Sequence, residues 1–155
     1  MGDVCARLDV ASIAAILGRT DLKGVPVNTI LGSLGHDGDH CRFQLPQKGL
    51  LDIGINPIPM TAAIPGPEQA MRTLLDAYDL PSYPRIPGVG DLALYDPLDP
   101  PGKAGTFSFW AVQGKDVRWY GITIWGYDPT PEHSMLGAIG KDHLVGIAKR
   151  CLDGL

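Results

Sequence analysis

Cys41 follows His36 and His40, with Asp37 and Asp39 between them. A thiol beside imidazoles and carboxylates is raw material for nucleophilic catalysis. The spacing argues against that chemistry. Successive side chains of an extended strand point to opposite faces, so His40 points away from Cys41. Cys151 and His143 share a predicted helix but lie about 12 Å apart along its axis, beyond proton-transfer reach. Cys151 falls on the apolar stripe of that helix and reads as a small buried hydrophobe. Cys5 and Cys41 are open to two readings at this level, a disulfide or two buried free thiols.

Other candidate motifs are weaker. The run His36-Asp37-Gly38-Asp39-His40 has metal-ligand residue types, but its spacing fits neither a zinc site nor a calcium loop, and it reads as a solvated turn. Gly88-Val89-Gly90 is half a dinucleotide fingerprint and precedes a strand instead of following one. Asp91, Asp96 and Asp99 sit in a Pro-rich stretch expected to be solvated. They lack the contrasting environments that acid–base pairs need. The sequence contains no nucleophile elbow and no phosphate loop. No metal or cofactor is expected.

These residues must be positioned by a small set of elements. A first helix is capped by Asp9 and carries the stripe Val10, Ile13, Ala14 and Leu17, with Gly18 as its C-cap. A second opens at Pro67-Glu68, buries Met71, Leu74, Leu75 and Tyr78, and stops at Pro81. A third runs from about Asp142, with Leu144, Ile147, Ala148 and Cys151 on one face. Period-two alternation predicts strands over His40–Leu45, Leu51–Asn56 and Asp91–Tyr95. The stretch Asp96–Gly105 reads as a surface loop. Two further strands, Thr106–Gln113 and Asp116–Trp125, flank Gly114-Lys115, a two-residue turn of the II′ kind. The expected fold is one α+β domain over residues 1–155, in the order α-β-β-α-β-β-β-α. Its sheet is largely antiparallel, with helices packed on one face. An αββ pattern recurs loosely from Asp9 and from Pro67, a hint of duplication.

That turn pairs Val112 with Val117, Trp110 with Trp119 and Ser108 with Gly121. One hairpin face is then Phe107, Phe109, Tyr120, Ile122 and Ile124, a plain core. The other carries Trp110, Trp119 and Trp125 among Thr106, Ser108 and Thr123, a mixture suited to an open ligand- or partner-binding surface. The competing reading is an aromatic pair that stiffens the sheet. On the open-surface reading, Trp119→Ala folds with a near-normal melting temperature.

The net charge of −4 argues against sequence-independent nucleic-acid binding, which needs a basic face. At 45% hydrophobic and 19% charged residues the chain has the composition of a folded domain. Its longest apolar stretch, around Ile13–Leu17, is far short of a membrane span. Nothing at the N-terminus reads as a signal peptide. Met1-Gly2 is therefore either a cytoplasmic start or the edge of a mature domain whose leader was removed.

The run from Asp3-Val4-Cys5 to Ile16-Leu17-Gly18 resembles the opening of a family of bacterial extracytoplasmic lipoproteins of unknown function, abundant in actinobacteria. Cys41-Arg42-Phe43, the segment Pro87-Gly88-Val89-Gly90-Asp91-Leu92-Ala93 and the terminal amphipathic helix are similar to further parts of that family. The resemblance implies a periplasmic or cell-envelope location and a Cys5–Cys41 disulfide. It also implies tethering, if any, through a removed N-terminal segment. The family lends no activity. The expected function is a non-enzymatic, sensor-like binding domain for an apolar small molecule or an envelope protein. The alternatives are a small hydrolase with a His/carboxylate site assembled by the fold, and a structural envelope protein.

Overall fold

A computed structural model describes residues 4–27, 40–45, 48–58, 64–99, 104–114, 117–127 and 140–153. The His36–Asp39 part of the candidate metal loop lies outside them. Two short helices open the chain, α1 (Val4–Arg7) and α2 (Val10–Ile16). Asp9 caps α2 as expected, with Oδ1 accepting from the Ser12 N–H at 3.1 Å. There follow β1 (Gly24–Val27), β2 (His40–Gln44), β3 (Leu50–Ile58), α3 (Pro67–Ala77), β4 (Leu92–Asp99), β5 (Ala104–Gln113), β6 (Arg118–Tyr127) and α4 (Lys141–Asp153).

The architecture is α+β, with six antiparallel strands in the order β1-β2-β3-β6-β5-β4. Two three-stranded meanders, β1–β3 and β4–β6, are joined side by side through β3 and β6. The sequence pattern does not reveal α1 or β1. The latter is Gly-Val-Pro-Val on a sheet edge, where a proline costs no ladder hydrogen bond. The expected loop Asp96–Gly105 is also shorter than predicted. Strand β4 continues to Asp99 through an irregularity after Asp96, and β5 begins at Ala104. Its Pro97 is tolerated because β4 is the other edge.

Residues at odd positions of β2, β3, β4 and β5 face one core. Cys41, Phe43, Ile53, Phe109 and Ala111 point there, together with Tyr120, Ile122 and Ile124 of β6. Helices α1, α2 and α4 cover it with Val4, Ile13, Leu144, Ile147, Ala148, Cys151 and Leu152. Gly146 lets α4 lie close on α2, since a Cβ there would come within 3.3 Å of Ile16 Cδ1. Cys5 of α1 is bonded to Cys41 of β2, with Cα atoms 4.9 Å apart. Gly24 of β1 rests directly on that bridge. A Cβ at Gly24 would overlap Cys41 Sγ and lie 3.2 Å from Cys5 Sγ.

The expectation of helices on one face holds for α1, α2 and α4. Helix α3 lies on the other, where Ala70, Met71 and Leu74 pack on Leu92, Leu94, Val112 and Trp119. The two meanders fit the hint of a duplicated unit, but the helices preceding them lie on opposite faces, which breaks the symmetry. Among the described residues no helix is long and apolar enough to cross a membrane.

Candidate functional site

The β5–β6 register differs from the predicted one by two residues. Val112 pairs with Trp119, Trp110 with Gly121, Ser108 with Thr123 and Thr106 with Trp125. The ladder ends at Gln113–Arg118, and the Val117 N–H donates to the Gly114 carbonyl at 2.9 Å, in place of a Gly114-Lys115 two-residue turn. Because side chains alternate with period two, an even slip preserves the faces. The three tryptophans therefore share a face with Ser108, Thr106 and Thr123, as expected, but they are not equivalent.

Trp119 is 4% exposed and sits in the core under α3. The open-surface reading fails at this residue, because the sequence pattern does not say which side of the sheet α3 chooses. Trp110 is half-buried at the edge of the same cluster, with Cζ3 3.9 Å from where a Gly121 Cβ would stand. The indole N–H groups of Trp110 and Trp119 are buried without an acceptor. Trp125, also half-buried, belongs to neither core among the described residues.

No described helix covers the half of this face that holds Trp125. One row across the strands there reads Val25, Arg42, Asp52, Trp125, Thr106, and the next reads Val27, His40, Gly54, Thr123, Ser108, Asp96. Arg42 grips Asp52 with two parallel bonds, Nε to Oδ1 at 2.8 Å and the terminal nitrogen to Oδ2 at 2.7 Å. That hydrogen bonding raises the Arg42 pKa further. The His40 imidazole fills the space a Gly54 side chain would take. Asp96, expected on the surface, is 6% exposed. It accepts a hydrogen bond from Tyr83, which raises the pKa of that phenol. Among the described residues, the buried polar or charged side chains Asp52, Asp96 and Ser108 all lie in these two rows.

The other candidates are placed elsewhere. Cys41 is spent in the disulfide, and burial pushes the Cys151 thiol up to about 12, so neither offers a thiolate near neutral pH. His143 lies in the first turn of α4, its Nδ1 accepting from the Gly140 N–H at 3.3 Å. Asp91 braces the hairpin end, its Oδ2 accepting from the Gly114 N–H at 2.9 Å. Gly88 and Gly90 form a turn with φ of 81° and 57°. A Cβ at Gly90 would also press on the Val112 carbonyl oxygen at 2.7 Å. His40 and Asp96 share a row but stand four strand spacings apart, about 19 Å, and Asp52 is held by Arg42. The face thus brings together a partly exposed aromatic ring, fixed polar groups and small residues. Sequence reading missed the Arg42–Asp52 pair and the His40–Gly54 contact. The alternation in both strands carries that signal once β2 and β3 are paired.

No protein-family model, curated protein or solved structure matches this chain.

Proposed function

We propose that the protein is a non-enzymatic, extracytoplasmic binding domain whose ligand or partner contacts the uncovered half of the second sheet face. One observation carries the reading. Trp125 stays partly exposed between Asp52 and Thr106 and joins neither core, although a large aromatic ring gains most by burial. Thr123 stands one same-face position along β6, and the half-buried Trp110 lies a further position away, opposite Gly121. Ser108 is recessed beside Thr123, and Trp119 serves the face only as support from beneath α3.

The compartment is supported by the Cys5–Cys41 bond, which persists in oxidising surroundings, and by the resemblance of the opening segment to extracytoplasmic lipoproteins. The hydrolase alternative is disfavoured because both Asp52 oxygens are engaged by Arg42 and both candidate thiols are unreactive. The test is site-resolved quenching. A variant with only Trp125 fluorescent, Trp110→Phe/Trp119→Phe, should be quenched readily by acrylamide. A quencher-resistant, blue-shifted Trp125 would remove the binding face.

A further inference from the structure

We propose that the occupant of this face is a neutral saccharide, a ligand class that rests on the binding reading above and sharpens it. A pyranose offers an apolar C–H surface edged by hydroxyl groups. Its recognition requires a flat aromatic ring flanked by fixed donors and acceptors, with no net charge. Trp125 supplies the ring. On one side lies Asp52, pinned by Arg42, so the two charges cancel while the remaining guanidinium N–H groups and carboxylate lone pairs stay available to hydroxyls. On the other side lies Thr106, and Thr123 stands two residues along β6. Successive same-face residues of a strand are about 7 Å apart, so the step from Trp125 to Thr123 spans about one sugar ring.

The alternatives fit less well. Asp52 is only 6% exposed, so the pair meets the face chiefly through the part-exposed Arg42 guanidinium, whose N–H groups donate to hydroxyls. The mutually neutralised pair gives an anion or cation no net charge to meet. A purely apolar ligand would leave the Thr123 hydroxyl and the outer Arg42 N–H groups facing it, a desolvation cost that selects against it. The other rings on this face have structural work, since His40 covers Gly54 and Trp110 covers Gly121.

The indole N–H signals of the intact protein test this. The chain has three tryptophans, hence three resolvable side-chain cross-peaks. The wild-type protein is titrated with short β-1,4-linked glucose and N-acetylglucosamine oligomers to about 10 mM, enough to populate a site with Kd near 1 mM. The Trp125 signal should shift and saturate while Trp119, under α3, stays still. Trp125→Ala, with otherwise native amide dispersion, should weaken binding about tenfold or more. Unmoved signals throughout both sugar titrations would overturn the saccharide assignment. A parallel titration with the apolar dye anilinonaphthalene sulfonate then separates the two levels. If the dye moves Trp125, the binding face survives and only the sugar is wrong. If neither probe moves it, both fall. A shift of Trp119 together with Trp125 would also count against the assignment, as a sign of general loosening.

Discussion

Trp119 and Trp125 lie on the same strand and the same face, yet predict opposite mutational outcomes. Trp119 is packed under Ala70, Met71 and Leu74 of α3, and its N–H has no acceptor, so its worth is its apolar bulk. Trp119→Ala should cost about 3–5 kcal/mol in urea unfolding. Trp125→Ala should cost less than about 1.5 kcal/mol, since it empties no core. Equal losses would make the two positions equivalent and erase the distinction on which the site rests. Cys151 gives a second test at this scale. Its thiol holds its proton in the folded state up to about 12, against 9.0 when unperturbed. Between those values the unfolded chain binds fewer protons than the folded one, so this residue makes stability fall as pH rises, by at most about 1.4 kcal/mol per unit. Cys151→Val should flatten the alkaline limb of the stability–pH curve relative to wild type. An unchanged limb would mean that the thiol is not shielded as described.

At the scale of elements, β1 depends on the bridge beneath it. The Cys5–Cys41 bond spans a sequence separation of 36 and restrains the unfolded chain by about 4 kcal/mol in the chain-entropy treatment. Gly24 leaves no room above it. Gly24→Ala should therefore destabilise by about 1–3 kcal/mol, through overpacking against sulfur atoms that cannot swing away while bonded. In a Cys5→Ser/Cys41→Ser background the penalty should shrink, because the Cys41 position becomes free to rotate. A double-mutant cycle over these changes measures the coupling, and additivity would show that β1 does not lean on the bridge. Helix α3 is fastened differently. Its apolar stripe does the packing, and Glu68 with Arg85 adds an exposed two-bond ion pair at 2.7 and 2.6 Å. Solvent screens such a pair, so high salt should leave α3 in place.

For the whole molecule, the two meanders share the β3–β6 ladder, and α2 and α4 pack together over one continuous core. Urea unfolding followed by far-UV circular dichroism and by tryptophan emission should give coincident single transitions. Separate transitions would divide the chain at β3–β6. The redox state belongs to this scale too. In the non-reduced, denatured protein, alkylation should label one cysteine, Cys151, and leave Cys5 and Cys41 protected. Three labelled cysteines would remove the bond, and with it the main support for an oxidising compartment.

Local pattern was enough to place α2, α3, α4 and most of five strands, because capping, apolar periodicity and strand alternation are properties of neighbouring residues. It was also enough to divide the β5–β6 hairpin into an apolar face and a tryptophan face, since alternation survives any even error in register. Pairing and packing had to be decided in three dimensions. Which residue faces Trp110 depends on the turn closed by the Val117 N–H donating to the Gly114 carbonyl, which no dipeptide rule anticipates. Whether Trp119 is core or surface depends on α3. An amphipathic helix carries its apolar stripe whichever side of a sheet receives it, so the stripe of Met71 and Leu74 reads the same for either face. The short strand β1 has too few residues to show a period and exists through its pairing with β2 over the disulfide. Asp52, Arg42 and Trp125 lie far apart in the chain and become one row only through the ladders of β2, β3 and β6, because strand pairing sets neighbours by register and not by sequence distance.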